Sequence, residues 1–185
     1  MPTSEFRQIP HVLDVVVREA PKTVLDVGAG YGKYGFLARE FGGAERVDAV
    51  DATPPRFAAY DHVWTGDLRN LDALLPPDAP RYDLALFIDV IEHLEKPEGY
   101  RLLDTLVRRA RKVLVTTPWG FRPQEIPGMP YETHRSGWQP WDFRGRYRVH
   151  RTQLFPGHLT RRLRLPRLWQ LLVVVSARDV SGNGR

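Results

Sequence analysis

The stretch that decides the fold reads Asp26-Val27-Gly28-Ala29-Gly30-Tyr31-Gly32-Lys33-Tyr34-Gly35. An apolar run at residues 23–28 leads into it, and residues 33–41, followed by two glycines, have the pattern of a helix. Glycines between a strand and a helix permit unusual backbone angles and let a ligand approach the main chain closely. The stretch therefore predicts a buried strand, a ligand-binding turn and a helix.

The rest of the chain alternates strand-like and helix-like segments. Further strands are predicted at residues 46–50, 62–65, 82–88, 112–117, 146–149 and 171–177, and helices at 8–19, 68–75 and 97–109. Such alternation predicts a doubly wound α/β fold, in which helices cover both faces of a mostly parallel, seven-stranded sheet. Pro54 and Pro55 leave little room for a helix after the second strand, so a reduced connection is expected there.

Length and composition limit the kind of protein. The chain has 185 residues, 42% hydrophobic and 26% charged, so residues 1–185 can bury the core of one domain. It has no apolar run long enough to cross a bilayer, no signal-peptide pattern and no cysteine. We therefore expect a single cytoplasmic domain with no membrane partner. Residues 118–145, rich in Pro, Gly and Trp, predict an irregular lid or substrate loop.

The net charge of +5 is unevenly distributed along the chain. Acidic residues outnumber basic ones over residues 1–98, and the remainder is strongly basic. The arginine-rich segment, residues 144–167, contains no acid. It can attract phosphate or another anion, or it can be an ordinary surface that uses arginine as its cation. The sequence leaves both interpretations open.

Acidic residues follow the predicted strands at the sheet edge where folds of this kind bind ligands. Asp51 follows the second strand, Asp67 follows the third, and residues 89–93, Asp-Val-Ile-Glu-His, follow the fourth. Residues 30–35 alone satisfy the dinucleotide pattern G-x-G-x-x-G, with Asp51 placed to bind ribose hydroxyls. A nicotinamide-dependent oxidoreductase would explain the glycines and Asp51, but it would give no role to Asp67 or to residues 89–93.

The complete series resembles the class I S-adenosylmethionine-dependent methyltransferases. Their first motif is acid-x-Gly-x-Gly-x-Gly, and an acid follows both their second and their third strand. The resemblance extends from Val24 to the last predicted strand. It implies a Rossmann-like fold with S-adenosylmethionine as the cofactor and S-adenosylhomocysteine as the product.

The resemblance also implies which residues hold the methionine half of the cofactor. Gly28 and Gly30 would pass below it, and Asp26 would hold its ammonium directly or through water. The backbone of Asp89 and Val90 would close the pocket. Asp26 can alternatively be an acid that stabilises the loop.

For the adenosine half, the resemblance implies that Asp51 binds the ribose hydroxyls and that Asp67 and Leu68 flank the adenine. Asp67 can alternatively cap the helix that begins at Leu68. The remaining cofactor-binding candidates are Ala29, Tyr31, Gly32, Tyr34 and Ala52.

Methyl transfer to a hydroxyl or an amine requires positioning, exclusion of water and a proton acceptor. Glu92 and His93 follow the fourth strand and His134 lies in the lid-like loop, so we predict all three as catalytic, with the histidines as base candidates. Alternatively, His93 packs on the next helix and Glu92 pairs with a basic residue. Trp119 and Trp138 are the predicted substrate contacts. The spacing matches no compact ligand motif, so no metal is predicted.

The expected function is methyl transfer from S-adenosylmethionine to a small-molecule acceptor at oxygen, on a saccharide or another anionic metabolite. One alternative is an RNA or other nucleic-acid methyltransferase that binds phosphates through the arginine-rich segment. Another is a cofactor-binding protein without catalysis. The sequence does not indicate an oligomeric state.

Overall fold

The computed structural model describes residues 4–57, 59–156 and 169–178. Its strands are β1 (Thr23–Val27), β2 (Arg46–Asp51), β3 (His62–Thr65), β4 (Tyr82–Ile88), β5 (Ala110–Pro118), β6 (Arg148–Pro156) and β7 (Trp169–Ser176). Its α-helices are α1 (Ile9–Glu19), α2 (Lys33–Gly42), α3 (Leu71–Leu74), α4 (Lys96–Arg109) and α5 (Pro140–Arg144). Single 3-10 turns occur at Phe6–Gln8, Leu68–Asn70, Ile91–His93 and Pro130–Glu132.

The strands form one sheet in the order β3-β2-β1-β4-β5-β7-β6. β1 to β5 are parallel, whereas β7 runs antiparallel to both of its neighbours, β5 and β6. The chain proceeds outward from β1 to β3 and then returns to place β4 on the other side of β1. This reversal opens a crevice beyond the carboxyl ends of β1 and β4, where open α/β sheets bind ligands.

Both faces of the sheet are covered, because alternate residues of the central strands point to opposite sides. On one face, Val24, Leu84 and Leu86 pack with buried residues of α1 and α2. On the other face, Leu25 and Phe87 pack with buried residues of α4 and α5. The predicted doubly wound α/β fold is therefore confirmed.

Local sequence explains where the two main amphipathic helices begin and end. α1 has Pro10 in its first turn, where a missing amide hydrogen costs nothing, and ends at Ala20, whose φ of 43° is left-handed. α4 begins with Pro97 in its first turn, and the Glu98 carboxylate accepts a hydrogen bond from the Glu95 amide at 3.1 Å.

Several predicted elements differ from those observed. The strand predicted at 146–149 lies instead at Arg148–Pro156, and the predicted helix at 68–75 divides into the turn Leu68–Asn70 and α3. Residues 118–145 were expected to be irregular, but they contain the turn Pro130–Glu132 and helix α5, which Pro140 initiates. The reduced connection after β2 is observed, since residues 52–57 and 59–61 form no helix.

Among the described residues, none of the helices combines the length and the apolar character that crossing a bilayer requires.

Candidate active site

The turn after β1 contains three glycines, so it presents mainly main-chain atoms. Gly28, Gly30 and Gly32 have φ values of 76°, 57° and 99°, all in the left-handed region that favours glycine. A Cβ on Gly28 would lie 2.3 Å from Cγ2 of Val90, the residue that follows Asp89. The predicted ligand-binding turn therefore lies directly against the predicted closing segment after β4. Ala29, inside the turn, is buried.

Asp51 holds this turn in place. One carboxylate oxygen accepts a hydrogen bond from the Gly30 amide at 2.8 Å, and the other accepts from the Thr53 amide at 2.8 Å. The Asp51 side chain stays half-exposed at the end of β2, beside half-exposed Ala52. Asp51 is thus next to the glycine turn, as the ribose assignment requires, but its visible role is to position the loop.

Asp26 is a buried carboxylate at the end of β1. It accepts a hydrogen bond from the Tyr60 hydroxyl at 2.6 Å. Burial raises the pKa of Asp26 to about 6, although the Tyr60 hydrogen bond opposes that rise. Tyr60 also excludes side chains from Gly35, because a Cβ there would meet the phenol ring at 2.3 Å. This negative group therefore lies immediately below the glycine turn.

Asp89 is a second acidic group with constrained surroundings. Its φ of 51° is left-handed, and its carboxylate accepts hydrogen bonds from Gln8 Nε2 at 2.7 Å and from Thr116 Oγ1 at 3.0 Å. Burial raises the pKa of this carboxyl. Gln8 belongs to the turn that precedes α1, so the amino-terminal segment covers this end of the sheet.

The same segment contacts α2. Lys33 Nζ donates a hydrogen bond to Ser4 Oγ at 2.7 Å, and the Ser4 hydroxyl donates to the Tyr34 hydroxyl at 3.1 Å. Burial lowers the pKa of half-buried Lys33. Asp89 and Asp26 oppose this effect because their charges favour the protonated ammonium. Tyr34, a predicted cofactor contact, packs in the core between α2 and the amino-terminal segment.

On the adenosine side, Asp67 caps the turn Leu68–Asn70. Its carboxylate accepts from the Arg69 amide at 2.9 Å and from the Arg69 side chain, which lowers the Asp67 pKa. The capping alternative is therefore what the structure shows, and an adenine contact stays a prediction. Leu68 is half-buried against the core. The Arg56 guanidinium lies over the Tyr31 ring, 4.4 Å from the ring centroid.

The three predicted catalytic residues meet beyond the end of β4. Ligand-type atoms of Glu92, His93 and His134 all lie within 4.8 Å of one another, and the two imidazole centroids are 4.9 Å apart. Burial lowers the pKa of His93 to about 4, with a further contribution from His134, and burial also lowers that of His134. Burial raises the pKa of Glu92 well above its usual range.

Main-chain hydrogen bonds bring His134 to this position. The amides of Arg135 and Ser136 donate to the Glu92 carbonyl at 2.7 and 3.1 Å, and the His134 amide donates to the Gln124 carbonyl at 2.9 Å. The Glu92 side chain, by contrast, has one buried oxygen, Oε2, without a hydrogen-bond partner. The predicted lid is therefore fixed over the end of β4 with an unpaired carboxylate oxygen below it.

The two predicted substrate-binding tryptophans have different surroundings. Trp119 is half-buried beyond β5, and its buried indole nitrogen has no partner. Trp138 is 0% exposed: its indole donates to Ser136 Oγ at 2.8 Å and its ring packs edge-on against Tyr100. The structure therefore places Trp138, a predicted substrate contact, in the core beneath the loop and not at a surface open to a substrate.

Two arginines in the described part of the arginine-rich segment pair with acids from elsewhere in the chain. Arg146 pairs with Asp104, and Arg151 pairs with Asp14 at 2.6 Å. Arg144 and Arg148 are also described, whereas the four arginines between positions 161 and 167 lie outside the described residues.

Comparison with solved structures identifies the fold. The 1,6-didemethyltoxoflavin-N1-methyltransferase of Burkholderia thailandensis, with bound 1,6-didemethyltoxoflavin and S-adenosylhomocysteine, has a TM-score of 0.66 at 18% identity, covering 95% of this chain and 80% of that one. The N-methyltransferase NodS of Bradyrhizobium japonicum WM9, in complex with S-adenosylhomocysteine, has a TM-score of 0.63 at 12% identity over 94% and 92%. The chain has the fold of the S-adenosylmethionine-dependent methyltransferases.

Magnesium protoporphyrin IX methyltransferase of Synechocystis PCC 6803, with bound S-adenosylmethionine, shares this methyltransferase fold at a TM-score of 0.63 and 15% identity, over 92% of this chain and 79% of that one. No protein-family model matches the chain, and no curated protein matches its sequence. At such low identities the likeness establishes the fold, and the roles of individual residues have to be argued from the site.

Sequence reasoning missed four residues that shape this methyltransferase-type crevice: Gln8, Lys33, Tyr60 and Thr116. Each acts on a buried carboxylate, through a hydrogen bond or through its charge. Only Lys33 lay within a recognised motif. A buried acid in a strand requires a hydrogen-bond partner, so the sequence predicts a donor for Asp26 but does not identify it.

Proposed function

We propose that this chain is an S-adenosylmethionine-dependent methyltransferase that methylates a small molecule at a hydroxyl oxygen. The observation that carries the proposal is a main-chain turn with two carboxylates, buried Asp26 and half-buried Asp89, at the switch point of the sheet. Half-buried Lys33 is the nearby cation. A negatively charged crevice of this kind suits a ligand that carries both an ammonium and a sulfonium.

The residues present fit the methyl donor. Gly28 and Gly30 would lie under its methionine part, Asp26 would face its ammonium, and Asp51 would take its ribose hydroxyls. The cofactor supplies a methyl group on a positively charged sulfur. The chain has to hold that group, keep water out and promote loss of the acceptor's proton.

The acceptor side favours oxygen. Two imidazoles with lowered pKa values, and therefore neutral at pH 7, lie beside the Glu92 carboxyl next to the glycine turn. A hydroxyl has to lose a proton that a neutral amine need not lose before it attacks, so polar groups of this kind fit a hydroxyl. Arg122 lies close enough to His134 to contribute to its lowered pKa, and Arg135 is exposed. These cations favour an anionic acceptor or an anionic saccharide.

The fold does not decide the acceptor atom, since two of the structures compared above are N-methyltransferases by name. The test is incubation of the purified chain with S-adenosylmethionine and a panel of hydroxylated and amino acceptors, with detection of acceptors heavier by one methyl group. We expect products only from hydroxylated acceptors. Products from amines alone would contradict the oxygen assignment, and no turnover with any acceptor would favour a binding protein.

A nucleic-acid acceptor is less well supported. Arg146 and Arg151 are paired with Asp104 and Asp14, which reduces their attraction for phosphates. Titration of RNA binding against salt distinguishes the two acceptor classes. Affinity that falls steeply with salt would favour RNA, and absence of binding at low salt would favour the small molecule.

A further inference from the structure

We propose that Glu92, His93 and His134 form a binding site for one divalent first-row transition-metal ion beside the methyl-donor pocket. This inference rests on the proposed function for its role, but its geometry does not. The three side chains come from two segments far apart in sequence, and their ligand-type atoms lie within 4.8 Å of one another. Ligand atoms that are each about 2.0–2.2 Å from one metal lie at most about 4.4 Å apart, so small side-chain adjustments would bring these three atoms onto a single ion.

The hydrogen bonds on the imidazoles involve the Nδ1 atoms, and the Asp89 carbonyl is a further acceptor beside the His93 ring. Nδ1 of His134 lies 2.6 Å from the Arg122 carbonyl oxygen, and Nδ1 of His93 lies 3.3 Å from the Thr133 carbonyl oxygen. A carbonyl oxygen only accepts, so a neutral ring that carries its hydrogen on Nδ1 keeps the lone pair on Nε2. Metal-binding histidines typically have such a partner on the second nitrogen, which fixes tautomer and ring orientation.

The carboxylate gives the second, independent sign of a missing ligand. Glu92 is 2% exposed and its Oε2 has no hydrogen-bond partner of good geometry, although the Thr117 hydroxyl lies near enough to stabilise the carboxylate. A buried carboxylate oxygen without a donor is costly, and a cation is the partner that would compensate it. The nearby, half-buried carboxyl group of Asp89 makes the surroundings more negative, since it also raises the pKa of Glu92.

The ligand set indicates the class of ion. Imidazole nitrogens suit zinc, iron, cobalt and nickel, and a site of two histidines and one carboxylate leaves coordination positions open. Asp89 lies three residues before Glu92, and Val90 packs on Gly28, so this site is next to the proposed donor pocket. An acceptor hydroxyl is an oxygen ligand suited to an open position, and a bound ion lowers the pKa of such an oxygen. The site therefore adds a reason to expect an oxygen acceptor.

This proposal departs from the expectation, drawn from the sequence, that no metal would bind. The sequence shows no compact ligand motif because His134 comes from the loop 119–139, which main-chain hydrogen bonds dock onto the Ile91–His93 turn. Their juxtaposition depends on the folded loop.

Titration of the chelator-treated protein with Co²⁺, followed by visible absorption, tests the proposal. We expect about one Co²⁺ per chain, with a spectrum typical of nitrogen and oxygen ligands. Glu92→Gln keeps the shape of the side chain and removes its charge, and His134→Gln removes the imidazole. Each should weaken Co²⁺ binding by at least about tenfold. His150→Ala, at an exposed histidine on β6, serves as the matched control and should leave binding unchanged.

Thermal unfolding without metal identifies variants that fail to fold. Glu92→Gln is the main test of the metal site because it preserves the packing of the side chain. The proposal is overturned if the unsubstituted chain binds no stoichiometric Co²⁺, or if Glu92→Gln binds it as tightly as the unsubstituted chain. S-adenosylhomocysteine binding, measured calorimetrically on the same metal-free protein, separates the two proposals. Cofactor binding without Co²⁺ binding refutes only the metal site, and Co²⁺ binding without cofactor binding refutes only the methyl-donor pocket.

Discussion

The Gly30 amide donates a 2.8 Å hydrogen bond to the Asp51 carboxylate, so the acid after β2 fixes the glycine turn after β1. Two segments that would contact opposite parts of the cofactor are therefore coupled before any ligand binds. Part of the cofactor affinity should accordingly come from preorganisation of the turn as well as from direct contact.

Asp51→Ala removes both the proposed ribose contact and the support of the turn. We expect S-adenosylhomocysteine affinity to fall by about 1.5–3 kcal/mol, because a hydrogen bond to a charged group is lost. Calorimetric titration measures this loss. Glu40→Ala, at an exposed acid on α2, is the control for a simple change of charge. Equal affinities for the Asp51 variant and the unsubstituted chain would refute the ribose assignment.

Gly28→Ala should damage the turn through two separate effects. The φ of 76° strains any other residue, and the new methyl group would lie 2.3 Å from Val90 Cγ2. Together these should lower the free energy of unfolding by about 2–4 kcal/mol. Gly43→Ala is a matched control, since Gly43 has a φ of 67° and nothing within 4 Å of the added Cβ.

Urea unfolding of both glycine variants measures the difference. We expect Gly28→Ala to be the less stable of the two, and Val90→Ala combined with it to recover part of the loss. Equal destabilisation by the two single variants would mean that the close approach of Gly28 to Val90 contributes nothing.

Asp26 should make stability depend on pH in a defined direction. Burial raises its pKa from 3.8 to about 6, so between these values the folded state binds more protons than the unfolded state. Stability from this group is therefore present at low pH and is lost as pH rises through about 6. Between pH 4 and 7, the free energy of unfolding of Asp26→Asn should rise relative to that of the unsubstituted chain by on the order of 2 kcal/mol.

The same group should affect cofactor binding in the opposite sense, because only the ionised carboxylate attracts an ammonium. Unfolding free energies at several pH values, with S-adenosylhomocysteine affinities over the same range, check both statements. A pH-independent difference in stability between Asp26→Asn and the parent would show that Asp26 titrates normally.

Trp138 and Trp141 provide a direct test of the corrected assignment in the loop. Trp138 is 0% exposed and Trp141 is 65% exposed, although they are three residues apart. Trp138→Ala should lower the free energy of unfolding by about 3–5 kcal/mol, whereas Trp141→Ala should change it by less than about 0.5 kcal/mol. Denaturant unfolding of both variants settles this, and similar values for the two would contradict the packing described here.

The sheet could be predicted from sequence because its signals are local. Strands β1, β2 and β4 form apolar runs that stop at a glycine or an acid of the crevice, so Gly28, Asp51 and Asp89 were placed by pattern alone. β6 was predicted too short because its residues are only partly buried and alternate with arginines. Such a strand is recognisable mainly from its pairing with β7, the next strand of the chain.

The inside of the crevice could not be predicted, because long-range contacts build it. The hydrogen bond between Tyr60 and Asp26 joins residues 34 positions apart in sequence, and the one between Gln8 and Asp89 joins residues 81 positions apart. The position of His134 beside His93 depends on how the loop after β5 docks. Trp138 was misplaced for the same reason: an aromatic residue in a Pro- and Gly-rich loop resembles a surface residue, but this one packs in the main hydrophobic core.

The central claim is that the glycine turn and its carboxylates hold S-adenosylmethionine. A crystal structure of the chain grown with S-adenosylhomocysteine tests it most directly. We expect density for the methionine part over Gly28 and Gly30, its ammonium facing Asp26 and its ribose hydroxyls on Asp51. Density for the ligand elsewhere, or a crevice that stays empty at saturating ligand, would contradict the account.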